Sequence, residues 1–195
     1  MENKAKVAML VGERKIEVRE YPIPELGDNE ILLKVEGCGV CGTDVHEWKG
    51  DPFGLMPVVL GHEGTGEVVA LGKNVKTDTA GTALKVGDKI VTSVLRCGEC
   101  MPCRTDPGRT NLCDNQGVYG LIPDSESHHL NGWFASHMVI RDKSTYFVVN
   151  ELNLNERMLL ELAAVCVHAL ERGKSTGLIN FNSKVVLQGC GPVGL

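Results

Sequence analysis

Four of the chain's eight cysteines fall within seventeen residues, CGECMPCRTDPGRTNLC, from Cys97 to Cys113. No other feature constrains the fold as much. The spacing of two residues between Cys97, Cys100 and Cys103 lets a tight turn bring three thiolates to one point. Cys113 returns after a nine-residue loop and can close a tetrahedron. Such a closed four-thiolate set suits a structural zinc ion. Closely spaced cysteines also ligate iron–sulfur clusters, and four unrelated thiols in a reducing cell are a further alternative. The segment has no apolar pattern that would bury the thiols for packing alone. A disulfide framework is the poorer reading. The N-terminal stretch MENKAKVAMLVGERK lacks a long apolar core ending in a small-residue cleavage site, so no secretory signal is expected and the location is read as cytoplasmic.

Acidic residues number 25 and basic residues 20, a formal charge of -5 without a basic stripe, so a nucleic-acid partner is not expected. No apolar run approaches the roughly 18 residues of a spanning helix, which argues against a membrane role. A length of 195 residues suggests one domain and a fraction of a second.

The first part of the chain reads as short strands at 6–11, 16–20, 31–35, 66–71, 89–94, 133–140 and 146–149, separated by turn-rich segments. Residues 74–85 are polar and read as an exposed loop, and 120–132 as another. Many short strands with glycine-rich turns predict a barrel or sandwich. The character then changes. Asn155 is the expected N-cap of a helix over 156–172, with Leu159, Leu162, Ala163, Cys166 and Leu170 at helical spacing, which predicts a buried helix ended by Gly173 and Gly177. Residues 184–188 read as a strand running directly into Gly189-Cys-Gly191-Pro-Val-Gly194. The expected division is 1–154 for the β-rich domain and 155–195 for the helix together with that strand and its glycine-rich turn.

Two constellations carry chemistry. The first is the G-x-G-x-x-G pattern at Gly189, Gly191 and Gly194, where glycines permit a tight turn and close approach to a dinucleotide pyrophosphate. A glycine-rich turn without a ligand is the alternative. The acidic residue expected about 20 positions further on lies past Leu195, so the chain reads as a fragment of a nucleotide fold. The second combines Cys41-Gly-Thr-Asp-Val-His46 with Gly61-His62-Glu63-Gly64. A thiolate from Cys41 and an imidazole from His62, plus a carboxylate or thiol from elsewhere, would hold zinc and leave a place for water or substrate. Asp44 could orient the histidine. Residues alone leave this pair open between a metal site and coincidence.

These segments together carry a family resemblance. GVCGTDVH at 39–46, GHEGTGEVVALG at 61–72, VGDKIV at 86–91, the cysteine lobe at 97–113, NGWFASHMVI at 131–140 and VVLQGCGPVGL at 185–195 resemble the zinc-dependent medium-chain alcohol dehydrogenases. The resemblance implies a mainly β fold with some α: a GroES-like β-barrel catalytic domain, then a helix and the first strand of a Rossmann domain that the chain does not complete. It implies two Zn2+ ions per chain. Cys97, Cys100, Cys103 and Cys113 would hold the structural ion. Cys41 and His62 would be the first two ligands of the catalytic ion. Polyol-type members carry Glu-Pro-Leu-Ala before a His-Ala pair, and Glu161-Leu-Ala-Ala-Val-Cys-Val-His168-Ala matches in register with Leu162 in place of proline. Glu161 is therefore the expected third ligand, with Glu63 an alternative able to exchange onto the metal and Cys166 a weaker candidate. Thr43 would hydrogen-bond the substrate alcohol, and His46 would end a proton relay. Gly189, Gly191 and Gly194 would bind NAD or NADP. His128, His129 and His137 are read as loop or strand residues, and His168 as a helix residue near the domain junction.

The expected function is oxidation of a small alcohol or polyol by hydride transfer to NAD(P) in a longer, homo-oligomeric protein, with the 195-residue chain inactive alone. The alternatives are a threonine or sugar dehydrogenase of the same family and a non-enzymatic zinc-binding module. The loop between Cys103 and Cys113 and residues 74–85 are both longer than the usual family spacing.

Overall fold

Period-two alternation builds the first hairpin. The computed structural model describes residues 4–194. Expectations that touch the first three residues or Leu195, at the outer ends of the two expected domains, lie outside the described residues. In β1 (Lys4–Gly12) Ala5, Val7 and Met9 are buried, while Lys4 and Lys6 face solvent. β2 (Lys15–Pro22) folds back antiparallel after a turn at Glu13 and Arg14. β4 (Val58–Val59) pairs with the opposite edge of β1, giving the order β2-β1-β4.

A second, five-stranded sheet contains β3 (Ile31–Cys38), β5 (Gly64–Leu71), β6 (Lys89–Leu95), β7 (His137–Ile140) and β8 (Ser144–Val148) in the order β7-β3-β5-β6-β8. All its neighbours run antiparallel. An isolated bridge between Val7 and Ala135 stitches β1 to the segment entering β7. The Ala8 amide donates to the Phe134 carbonyl there, and the Ser136 amide to the Lys6 carbonyl, both at 2.8 Å. The two sheets thereby curve around shared apolar layers. One holds Ile31, Leu33, Val68, Ile90, Met138 and Ile140 with Trp133 and Tyr119; the other holds Ala5, Val7, Met9, Val59, Leu130 and Val139. Truncating a buried Ile90 or Leu33 to alanine removes about 2–5 kcal/mol of such packing.

Several local expectations need correction. Residues 74–85 are not simply exposed: Val75 and Leu84 join the core. Asp78 is buried because its carboxylate accepts from the amides of Ala80, Thr82 and Val148. Strand β7 begins at His137 rather than 133. A helix, α1 (Gly42–Gly50), lies where the pattern predicts no element; glycines at both ends and weak apolar periodicity hide it from pattern reading. The cysteine lobe contains α2 (Met101–Thr105) and a 3-10 turn (Thr110–Leu112).

The C-terminal helix also differs. Asn153, not Asn155, is the N-cap. Its side chain accepts from the Glu156 amide at 3.1 Å while the Glu156 carboxylate accepts from the Asn153 amide at 2.9 Å, a reciprocal capping box. The helix breaks at Leu159 into α3 (Leu154–Met158) and α4 (Leu160–Ser175). α3 packs on β3 and β5. α4 carries the expected apolar stripe but contains no buried residue, because no described element covers it; Leu159 and Leu170 are 57% and 58% exposed. Residues 184–188 pair with no neighbour, and a strand without a ladder partner is not one.

α1 turns two acids inward, Asp44 and Glu47. Glu47 is fully buried, and neither carboxyl oxygen has a hydrogen-bond partner. Burial and the nearby Asp51 both push its pKa above the ordinary glutamate range. An acid raised in the folded state loses stability as pH climbs above its unfolded value, because the unfolded chain ionises first. Glu47→Gln is therefore expected to be more stable than wild type near pH 8, by about 1–3 kcal/mol. The gap should close as pH falls to about 3, where both states of the wild type are protonated. Thermal melts across that range check it, and a gap independent of pH would show that Glu47 is not held neutral.

Candidate metal centres and their cavity

The site is assembled around Asp44, which is 3% exposed. One carboxylate oxygen accepts from the Cys41 amide at 2.8 Å, closing the start of α1. The other accepts from the Gly61 amide at 3.1 Å, seventeen residues away. The loop carrying Cys41 and the loop carrying His62 are thus tied to one side chain. The Gly39 amide donates to the Glu63 carbonyl at 3.1 Å and ties them again. Gly61 adopts φ 91°, in the left-handed region that favours glycine. Gly64 lies against Trp133 so closely that a Cβ there would fall inside the indole. These two glycines let the His62-Glu63 segment turn sharply and pack flat on the core.

Cys41, His62 and Glu63 place one ligand atom each within 4.8 Å of one another. The His62 Nδ1 stands 3.6 Å from Asp44 Oδ1, and it is buried without a hydrogen-bond partner. The Asp44 carboxylate raises the His62 pKa to about 9 against the opposing effect of burial, with the Cys41 side chain adding to the rise. Facing Asp44 with one nitrogen leaves the other for ligation, the usual arrangement of a metal-binding histidine. The Cys41 thiol lies 3.7 Å from Thr43 Oγ1. His46 is exposed on the same helix.

Glu161 lies outside that cluster but lines the same cavity of about 630 Å³ as His62 and Glu63. Burial raises its pKa; His62 lowers it, and Glu63 raises it. Cys166 turns away, its sulfur 3.6 Å from the Val193 carbonyl. The cavity walls are largely apolar, from Val91, Phe147, Val149, Leu160 and Val165. Asn111, Arg157 and His168 also reach it, and sequence reasoning did not identify them as lining residues. The spacing of 161, 164, 165 and 168 on one helical face is the signal that could have found His168.

The second cluster is the cysteine lobe. Cys97, Cys100, Cys103 and Cys113 place their sulfurs within 4.8 Å of one another, and all are free thiols. The Cys97 and Cys113 sulfurs are 3.6 Å apart, and those of Cys100 and Cys113 4.0 Å. A tetrahedron with zinc–sulfur bonds of about 2.3 Å has edges of about 3.8 Å. A disulfide would need about 2.05 Å. The geometry therefore fits one four-coordinate ion. An iron–sulfur cluster, whose irons and sulfides stand between the ligands, would spread the thiolates further apart. The amides of Glu99 and Cys100 aim at the Cys97 sulfur and bring its pKa down to about 6, while burial pushes Cys103 up to about 12.

At the other end of the chain, Gly189 adopts φ 102° and the Gly194 amide donates to the Gly191 carbonyl at 2.9 Å. The turn forms, but the described residues add neither a paired strand before it nor a helix after it. They do not by themselves build a dinucleotide platform. No described helix is long and apolar enough to cross a membrane. His129, read as a residue without function, stacks on Tyr21 and pairs with Asp124 at 2.9 Å, a packing role.

Comparison with known proteins agrees with this architecture. Residues 27–150 match the alcohol dehydrogenase GroES-like domain. The chain is 36% identical over 179 residues to L-galactonate-5-dehydrogenase of Escherichia coli strain K12, covering 91% of this chain and 46% of that protein. It is 31% identical over 195 residues to sorbitol dehydrogenase of Bacillus subtilis strain 168, covering 97% of this chain and 50% of the relative. Among solved structures, an alcohol dehydrogenase from Thermotoga maritima superposes with a TM-score of 0.84 at 33% identity, covering 98% of this chain and 53% of the other. The chain spans about half the length of the relatives it matches. By the match over most of its β-rich part and by its fold, the chain belongs to the alcohol dehydrogenase family with a GroES-like domain.

Proposed function

We propose that this chain is the catalytic portion of a zinc-dependent dehydrogenase that oxidises a polyol or a related hydroxylated compound. The observation that carries the reading is the convergence of Cys41, His62 and Glu63, of which His62 and Glu63 line a cavity together with Glu161. The names of the relatives, a sugar-acid dehydrogenase and a sorbitol dehydrogenase, support the substrate class.

Cys41 and His62 would hold one zinc ion, with Glu161 as the third ligand and Glu63 close enough to take its place. Zinc bound there would act as a Lewis acid, polarising the alcohol oxygen and lowering its pKa. Asp44 keeps the ligand loops in register and orients His62. Thr43, beside Cys41, would hydrogen-bond the substrate alcohol, and exposed His46 on the same helix would form the outer end of a proton relay. The apolar walls exclude water from the reacting carbon. The cysteine lobe would hold a second zinc with a structural role. NAD or NADP is the hydride acceptor that family membership suggests, with Gly189, Gly191 and Gly194 contributing to its pyrophosphate site. Because those residues do not build that site alone, the 195-residue chain is expected to bind zinc without oxidising a polyol. Robust NAD-dependent turnover by the pure chain would overturn that expectation. A homo-oligomer is the assembly we read for the longer protein.

Zinc analysis after exhaustive dialysis tests the metal assignment. Wild type is expected to hold two ions per chain and Cys41→Ser one. One ion in both proteins would mean that the Cys41 cluster is not a zinc site. Glu161→Gln should loosen one ion and leave the other, whereas an unchanged affinity would hand the third position to Glu63. For Asp44→Ala, the buried Gly61 amide and the part-buried Cys41 amide lose their acceptor, so unfolding stability should fall by about 2–3 kcal/mol. The labile zinc should bind about 10–100-fold more weakly in that variant. A stable variant with unaltered zinc affinity would remove Asp44 from its positioning role.

A further inference from the structure

The first hairpin leaves one edge of its sheet open. β2 is the outer strand in the order β2-β1-β4, and among the described residues its backbone bonds only to β1. Alternate residues of such a strand aim their amide and carbonyl groups away from the sheet, where another strand can receive them. The edge is eight residues long, Lys15–Pro22, and its only proline is the last of them. The register irregularity of the hairpin lies beside the turn, between Leu10 and Gly12, and leaves the rest of β2 regular. Val18, in the middle of the strand, is 74% exposed, and Ile16 beside it on the outer face is 49% exposed. Nothing on this edge lines the cavity at His62, so the surface stands apart from the metal centres and from the reading of them.

The charges along β2 single out one partner and one register. Glu17 and Arg19 share the other face, half-exposed, and Arg19 bonds Glu17 at 2.8 Å. Lys15 also reaches Glu17, at 2.9 Å, so this face carries two cations and one acid. Directly opposed residues of an antiparallel pair lie on the same face and interact. A two-fold axis through Val18 sets Val18 against its own copy and Glu17 against Arg19, and the symmetry makes that ion pair twice. Shifting the axis to Glu17 sets Glu17 against itself and Lys15 against Arg19. Shifting it to Arg19 sets two guanidinium groups together. Of the registers that keep both core-side faces on one side, only the first opposes unlike charges throughout this stretch. We propose that β2 is a dimerisation edge, pairing antiparallel with β2 of a second copy of this chain about a two-fold axis at Val18. The two three-stranded sheets then join into one of six strands. Main-chain hydrogen bonds supply the attraction, and the Glu17–Arg19 pairs fix the register.

Sedimentation velocity on the 195-residue chain, over about 1–100 μM, tests the proposal. Wild type is expected to form a dimer in that range. Val18→Lys puts two ammonium groups on the axis, and Arg19→Glu turns both ion pairs into repulsions. Each is expected to raise the dimer dissociation constant at least about tenfold while circular dichroism and the thermal melt show a folded chain. Glu17→Arg combined with Arg19→Glu exchanges the two charges in place and is expected to restore the dimer, which a general disturbance of the hairpin would not allow. Leu178 and Phe181 are also exposed, so Leu178→Ser with Phe181→Ser serves as the control and is expected to leave the dimer intact. Wild type that stays monomeric over the whole range overturns the proposal. A dimer that survives both Val18→Lys and Arg19→Glu, or one lost in the Leu178 and Phe181 variant, overturns it as well. So does a folded charge-exchange variant that remains monomeric.

Discussion

The whole candidate site of this molecule depends on the desolvated carboxylate of Asp44. Both oxygens are taken by backbone amides from segments far apart in sequence, Cys41 and Gly61, and the charge faces the ring of His62. A buried charge is tolerable only when its lone pairs are filled. Here the donors that fill them belong to the loops that must be brought together. Register between β3, which leads into Cys41, and β5, which follows His62-Glu63, delivers the same result from the other side, since Cys38 pairs with Gly64. Sheet and carboxylate agree on one placement of Cys41 and His62.

Much of this is legible in the residues. The cysteine lobe announces its own geometry by spacing, because ligands two apart can meet only in a tight turn. Alternation locates most strands to within a few residues. The pairing of Cys41 with His62 rests on resemblance, since nothing in a single sequence reveals which loops a sheet will bring together. Glu161 and Glu63 illustrate the same limit: the family resemblance points to Glu161, yet distance puts Glu63 nearer the thiolate. α1 escapes pattern reading because its inward face is acidic rather than apolar, so hydrophobic periodicity has nothing to detect. The helix at the C-terminal end is legible as a helix, but its apolar stripe predicts a burial that the structure does not have. Periodicity reports which face wants a partner and not whether the described residues supply one. Arg157 has no sequence signal at all; only burial and an unfilled donor single it out.

Charge is arranged in two separate groups. Near the thiolate, acids gather at Asp44, Glu63 and Glu161, a field suited to a cation. The second group, the alternating Glu67–Lys89–Glu36–Arg157 chain, runs across β5, β6, β3 and α3 and cancels its own charge. The first group stores electrostatic free energy that a divalent ion would release. The second ties α3 to the sheet and so fixes the approach of the helix after it.

The two candidate metal sites are supported in unlike ways, and this bears on how each would lose an ion bound there. Cys41 and His62 are mounted on loops braced by Asp44, by β3–β5 pairing and by the packing of Gly64 on Trp133. An ion could leave that site without disturbing its walls, and another could return to the same seat. The lobe at 97–113 has only Cys103 and Cys113 buried, and its two short helical turns carry no apolar core. Its shape is held by whatever joins the four sulfurs, so ion loss there is a local unfolding event. Under a chelator or an oxidant one centre would behave as a reversible reservoir. The other would act as a latch whose opening exposes four neighbouring thiols to disulfide cross-linking, which blocks the ion's return until the thiols are reduced again.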